Sequence, residues 1–126
     1  MLAVVERFLD ALTSHDADAT RELMTEEGVF HRVETGGEDV VLRSSSHGEI
    51  VQGVEEGSGD YAERLREPTV LVHGPIAVVW APYEFHVDGE LRHCGIDAFS
   101  LVETGDGAWK IAGIVYTAED ATSCPN

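Results

Sequence analysis

The sequence predicts an α+β domain in which a long, bent, antiparallel-rich sheet wraps over N-terminal helices and leaves a cone with an apolar interior. Three observations carry this. Val4, Val5, Phe8, Leu9 and Leu12 recur at helical spacing near the start of the chain. Residues 76–117 read as three long strands, the first two joined at Asp88-Gly89, the strongest short hairpin signal a sequence carries. The element order is helix, helix, strand, strand, helix and then four strands. Helices that precede a run of antiparallel strands must lie against one face of that sheet.

Glu6, Arg7 and Asp10 occupy the side of the first helix opposite its apolar stripe. Asp16 or Asp18 can cap a second, shorter helix that runs to Met24. Residues 29–33 read as a strand, Thr35-Gly36-Gly37 as a turn, and 40–43 as the returning strand. Ser46-His47-Gly48-Glu49 has capping-box spacing. Ile50, Val51 and Val54 then give the following helix its stripe, and Gly57 closes it. Residues 61–73 read as one more strand, which Pro68 places at an edge or a bulge, and Gly74-Pro75 turns it into the central three. After Thr117 no pattern remains. The expectation is one domain over 1–126, with a core of 2–119 and a mobile tail of 120–126.

Composition narrows the partners. Twenty-four acidic residues against 8 basic ones give a formal charge of −16 over 126 residues. Phosphate contacts need Lys and Arg, so nucleic acid and anionic membranes are not expected partners. No run reaches the ~18 apolar residues that span a bilayer. Residues 1–6 lack a basic stretch and cleavage site, so a cytoplasmic protein is expected. Cys94 and Cys124 make no disulfide framework in a domain this size and are read as free thiols. The 6 histidines are scattered without Cys-x-x-Cys or His-x-x-x-His spacing, so no metal or other cofactor is expected.

Counting outward from a two-residue turn at Asp88-Gly89 pairs His86 with Leu91, Glu84 with His93, Pro82 with Gly95 and Trp80 with Asp97 on one face. Phe85, Arg92, Tyr83, Cys94, Ala81, Ile96, Val79 and Ala98 fall on the other. The first face is mixed aromatic and ionisable, and the second is small and apolar. A bulge near Pro82 or Gly95 flips the assignment beyond it.

Residues 2–119 resemble the nuclear transport factor 2-like superfamily, and within it the SnoaL-like and "putative lumazine-binding" families. The match is carried by Val4-Val5-Glu6-Arg7-Phe8-Leu9-Asp10-Ala11-Leu12, Asp16-Ala17-Asp18-Ala19 and Trp80-Ala81-Pro82-Tyr83-Glu84-Phe85. His93-Cys94-Gly95-Ile96-Asp97-Ala98-Phe99 and Gly107-Ala108-Trp109-Lys110-Ile111-Ala112-Gly113 complete it. The resemblance implies a cone with a cavity between sheet and helices, and a homodimer formed through the outer sheet face, for which Ala81, Ile96 and Ala98 are the expected surface. Relatives of this kind include ketosteroid isomerases, polyketide cyclases, epoxide hydrolases and plain binders, so fold alone does not decide function.

Asp97 is the leading chemical candidate. A carboxylate among Ile96, Ala98 and Phe99 is costly to bury, and burial raises its pKa toward that of a general acid or base. The alternative is a structural Asp97 hydrogen-bonded to Trp80 or to backbone. Glu84 beside His93 offers a carboxylate that orients an imidazole, or else an exposed pair near the hairpin end. Trp80, Phe99, Phe30 and Phe8 can line a pocket for a planar ligand or fill the core. Tyr83 and Tyr116 can donate to an oxyanion, and His31 sits alone on a strand. The functional expectation is a protein that binds a small apolar or planar molecule. Its alternatives are a cofactor-free isomerase, cyclase or hydratase using Asp97, and a dimeric scaffold with a filled cone. Asp97 in an open cavity with a raised titration midpoint favours the enzyme.

Overall fold

A computed structural model describes residues 1–35 and 39–125. Helix α1 spans Leu2–Thr13 and α2 spans Ala17–Glu22. Strands β1 (Val29–Glu34) and β2 (Val41–Ser46) follow, then α3 (His47–Glu56). Five strands complete the sheet: β3 (Tyr61–Leu65), β4 (Thr69–His73), β5 (Ile76–Val87), β6 (Glu90–Glu103) and β7 (Trp109–Asp120). The strand order is β2-β1-β7-β6-β5-β3, with β4 also paired to β5. Every pairing is antiparallel except β1 with β7, so the predicted α+β class and antiparallel-rich sheet hold. No helix among the described residues is long and apolar enough to cross a membrane.

Local chemistry accounts for the helix ends. The Asp16 side chain accepts from Ala19 N at 3.0 Å and starts α2. At α3, Ser46 Oγ accepts from Glu49 N at 3.1 Å while the Glu49 carboxylate accepts from Ser46 N at 2.9 Å, the reciprocal box the sequence predicted. The Thr35-Gly36-Gly37 turn falls partly outside the described residues. The single strand expected over 61–73 is two strands. Glu67 takes a positive φ of 40° ahead of Pro68, and the edge breaks there, so β3 and β4 pair separately with β5.

The core lies between the helices and the inner face of the sheet. Val5 and Phe8 of α1 are buried against Phe30, Val79, Phe99 and Ile111. Phe8 meets Phe30 and Phe99 edge-on at centroid distances of 5.8 and 6.4 Å, the geometry that aromatic quadrupoles favour.

The hairpin turn is as predicted, with φ values of 53° at Asp88 and 81° at Gly89. The ladder beyond it is not. His86 pairs with Leu91, but Phe85 pairs with His93, so Arg92 is an extra residue on β6. That bulge slips every later pair by one place. Asp97 pairs with Ala81 rather than with Trp80, and Cys94 pairs with Glu84. The inner face of β5 is therefore Val79, Ala81, Tyr83 and Phe85, while Trp80 stands on the outer face with 52% exposure. Ala81, expected on the dimer surface, is fully buried inside.

Two predictions about the chain's end are also corrected. Cys94 and Cys124, read as free thiols, are joined in a disulfide. The tail expected from residue 120 onward carries local structure over Asp120–Cys124. Strand β7 continues to Asp120, whose side chain caps a short 3-10 turn at Ala121–Ser123, and Cys124 ties that turn to β6. Alternation along β6 puts Cys94 on the outer face, away from His93 and Asp97, where the returning chain end can reach it.

Candidate functional site

Across the inner face, backbone pairing sets Arg32 of β1 beside Tyr116 of β7, Tyr116 beside Asp97 of β6, and Asp97 beside Ala81 of β5. Side chains alternate along a strand, so these four share one face with Phe30, Phe85, His93 and Phe99. The methyl group of Ala81 leaves open space above Asp97. Phe8 and Leu12 from α1 and Ile50 from α3 form the roof. The cavity has a volume of about 190 Å³. Leu12, Ile50, Arg32 and Phe85 keep intermediate exposure, so the cavity communicates with solvent. The cone is not filled. A larger hollow of about 780 Å³ on the outer face is an open groove beside the chain's end, where Arg66 and Glu84 already pair. The smaller inner cavity is the one that gathers desolvated ionisable groups.

Asp97 is 3% exposed, and burial raises its pKa from 3.8 to about 6, partly offset by a hydrogen bond from Glu63. Glu63 projects from β3, beside Phe85, into the same cavity. The residue as a whole is half-buried, and burial of its carboxyl group, with the nearby charge of Asp97, raises its pKa well above the ordinary value. Two desolvated carboxyls side by side disfavour ionising together, so the pair holds its last proton to higher pH than separate carboxyls would. Glu63 O–H then donates to ionised Asp97. No donor among the described residues reaches Asp97 Oδ2, which is buried in the cavity wall.

A second network fixes His93. Tyr83, 2% exposed, has one hydroxyl proton, and it goes to the Thr117 carbonyl at 2.6 Å. His93 Nδ1 lies 2.8 Å from the same hydroxyl oxygen, so Nδ1 must carry the proton and donate it. Nε2 is left as a bare acceptor. Burial, aided by the Arg32 charge and opposed by Glu34, lowers the His93 pKa to about 4, so the ring is neutral at physiological pH. It stacks on Phe85 at 4.9 Å. Burial also raises the pKa of Tyr83 and Tyr116, so both stay protonated.

The strand geometry that brings these groups together depends on a close approach at Gly95. A Cβ there would lie 2.2 Å from Thr117 Oγ1 and 2.5 Å from the Thr117 carbonyl oxygen. The Thr117 hydroxyl instead takes a hydrogen bond from Ile96 N at 3.0 Å. This pinch between β6 and β7 sits between His93 and Asp97 and holds both side chains over the same cavity.

Of the residues expected at the site, Asp97, His93, Phe8, Phe30, Phe99 and Tyr116 line the cavity. Three do not. Trp80 is on the outer face. Glu84 is also outside, paired with Arg66 rather than with His93, because the bulge moved it opposite Cys94. His31 alternates away from Phe30 and bonds Ser44 Oγ at 2.9 Å. Sequence reasoning missed Arg32 and Glu63. Arg32 was reachable, since Phe30 had already been placed inside and Arg32 is two residues on.

The class these observations define is an α+β cone with a small, acid-bearing pocket. No protein-family model matches the chain, and no curated protein matches it either. Solved structures do. An NTF2-like protein from Cytophaga hutchinsonii is 16% identical with a TM-score of 0.74, the match covering 93% of each chain. A "putative dehydratase from the NTF2-like family" of Streptomyces avermitilis is 19% identical with a TM-score of 0.68, covering 92% of this chain and 91% of that one. The "beta subunit of a putative aromatic-ring-hydroxylating dioxygenase" from Novosphingobium aromaticivorans is 11% identical with a TM-score of 0.73, covering 93% and 85%. The chain has the nuclear transport factor 2-like fold. At these identities the likeness is one of fold, and the SnoaL-like and lumazine-binding names rest on the sequence motifs alone.

Proposed function

We propose that this protein is a cofactor-free enzyme that moves a proton at a carbon next to a carbonyl, as an isomerase or dehydratase of a small molecule. The observation that carries the reading is Asp97, buried in an open cavity, raised toward neutrality, and holding a free oxygen beside a protonated Glu63. Ionised Asp97 takes the proton from the carbon. The C–H electron pair becomes the enolate double bond, and the carbonyl pair moves to oxygen. For isomerisation, the enolate collapses and the carboxyl pair returns the proton to the conjugated carbon. For dehydration, the returned proton goes to a β-hydroxyl, which leaves as water with its bonding pair. Either way the carboxyl pair ends with the single proton it began with. Groups whose pKa values are pushed close to the working pH suit both halves of such a step.

A plain binder, the reading the sequence put first, is served by the phenylalanine walls alone and gives no use to two touching carboxyls that burial disfavours. The dehydratase named among the solved structures has the same fold, which is compatible with this chemistry and does not establish it. We also propose that two copies pair through the outer face, where Trp80, Ile76 and Val115 stand 51–55% exposed. The test of the enzyme reading is deuterium uptake at the α-carbon of small aryl and cyclic ketones in D₂O, followed by proton NMR. Wild type should accelerate exchange, and Asp97→Asn and Glu63→Gln should each cut it by at least 10²-fold with the fold retained. Exchange unchanged in Asp97→Asn would sink the reading.

A further inference from the structure

We propose that the cavity takes a compact carboxylic acid carrying a single flat ring, with the carboxylate seated on Arg32 and Tyr116. The orientation toward Asp97 rests on the proton-transfer reading above; the seat itself does not. Arg32 Nε is buried and meets no acceptor among the described residues. Its nearest carboxylate oxygen, on Glu34, is 3.6 Å away, too far for a hydrogen bond, and that oxygen is already held by Arg43. A guanidinium donor kept from water without an acceptor is costly, and the deficit is removed when a ligand brings an acceptor of its own.

Tyr116, paired with Arg32 across the β1–β7 register, stands next to that donor. Burial keeps its hydroxyl protonated. The two make a donor pair on β1 and β7, with Asp97 on the next strand and Glu63 beyond it. Among the described cavity-lining residues Arg32 is the one cation. That matters in a chain of net charge −16, which repels anions at long range. Salt screens that repulsion beyond about 8–10 Å, so it does not prevent a contact with Arg32 at hydrogen-bond distance. A guanidinium also matches a carboxylate in planar geometry better than any other side chain.

Size sets the rest of the ligand. A dry cavity of about 150 Å³ accepts benzene, so about 190 Å³ holds one six-membered ring and a short polar arm. Phe8, Phe30, Phe85 and Phe99 supply the apolar walls for that ring. With the acid on Arg32, an oxo acid of this size directs its enolisable carbon toward Asp97, one strand beyond Tyr116.

Binding of benzoate and phenylacetate, compared with neutral benzamide and benzyl alcohol, tests the seat by titration calorimetry at pH 7.5. Wild type should prefer the acids at least tenfold. Arg32→Gln should abolish the preference, and Tyr116→Phe should reduce it severalfold. Arg32→Lys, which keeps the charge but loses the planar fork, should retain part of it and covers the case in which the Gln variant misfolds. Asp97→Asn should bind the acids as well as wild type or better, since it removes a neighbouring negative charge. Equal affinity for acid and amide in wild type, or a preference that survives Arg32→Gln, overturns the assignment. Deuterium exchange at the methylene of phenylpyruvate separates the two proposals. Acids bound through Arg32 with no exchange leave this seat standing and remove the enzyme reading. Exchange of neutral ketones that is as fast as that of acids, and indifferent to Arg32→Gln, does the reverse.

Discussion

Asp97→Asn should stabilise the protein, and by an amount that depends on pH in a direction fixed by its titration. In the unfolded chain Asp97 loses its proton near 3.8; in the folded chain it does so near 6. The folded state therefore binds this proton more tightly. An acid raised in this way contributes its full stability below about pH 3.8 and loses it as pH climbs through 6. Each pKa unit is worth about 1.36 kcal/mol, so at pH 8 the ionised side chain costs the folded state about 3 kcal/mol. Asn has nearly the same shape and no charge to desolvate. Urea unfolding of wild type and variant, followed by circular dichroism between pH 3.5 and 8.5, should show two curves that converge at the acid end. They should separate by up to ~3 kcal/mol at the alkaline end, or roughly 10 °C in melting temperature for a domain of this size. Glu63, also raised, acts with the same sign and steepens the wild-type slope. The variant should lose proton transfer while gaining stability, the exchange expected of a strained functional group. A difference that is flat with pH, or an Asn variant less stable than wild type at pH 8, would mean that Asp97 is a satisfied structural carboxylate and would remove the basis of the site.

Tyr83→Phe removes a hydroxyl that serves the Thr117 carbonyl and His93 Nδ1, leaving both without their partner; a loss of about 1–3 kcal/mol in urea is expected. Reducing the Cys94–Cys124 bridge, or replacing both cysteines with serine, reopens a loop of sequence separation 30. In the chain-entropy picture that costs about 3–4 kcal/mol, read as a lower melting temperature in dithiothreitol that the serine variant no longer shows. Trp80→Ser places a polar group at the centre of the proposed pairing surface and should convert dimer to monomer in sedimentation velocity, leaving the inner cavity and its acid binding unchanged.

The parts of the fold written in local chemistry were legible. The stripe of Val4, Val5 and Phe8, the reciprocal cap of Ser46 and Glu49, and the positive φ demanded at Asp88-Gly89 each follow from a few neighbouring residues. The identity of Asp97 as a buried carboxylate on an apolar strand was legible for the same reason. What could not be read was the strand register. Arg92 is an ordinary exposed residue, and nothing in Leu91-Arg92-His93 marks the place where one strand takes two residues to its partner's one. That slip turned Trp80 and Glu84 outward and carried Tyr83 and Phe85 in. Glu63 escaped notice because its role depends on β3 pairing with the far end of β5, a contact between residues distant in sequence.

Strand alternation also lets one short stretch serve two purposes. From His93 to Asp97 the side chains alternate between the faces of β6. His93 and Asp97 turn into the cavity, Cys94 and Ile96 turn outward, and Gly95 between them presses against Thr117. The inward pair carries groups whose protonation burial disturbs, His93 pushed down to about 4 and Asp97 up to about 6. Both shifts oppose folding, the first as pH falls below the ordinary histidine range and the second as pH rises. The disulfide at Cys94 and the hydrogen bond from Ile96 N to Thr117 fasten the same five residues from the other side. A strand that must hold two unfavourable side chains over a hollow lacks the packing that ordinarily fixes its register. Here the register is fixed from outside, by a covalent tie and a backbone pinch that make no use of the space a ligand needs.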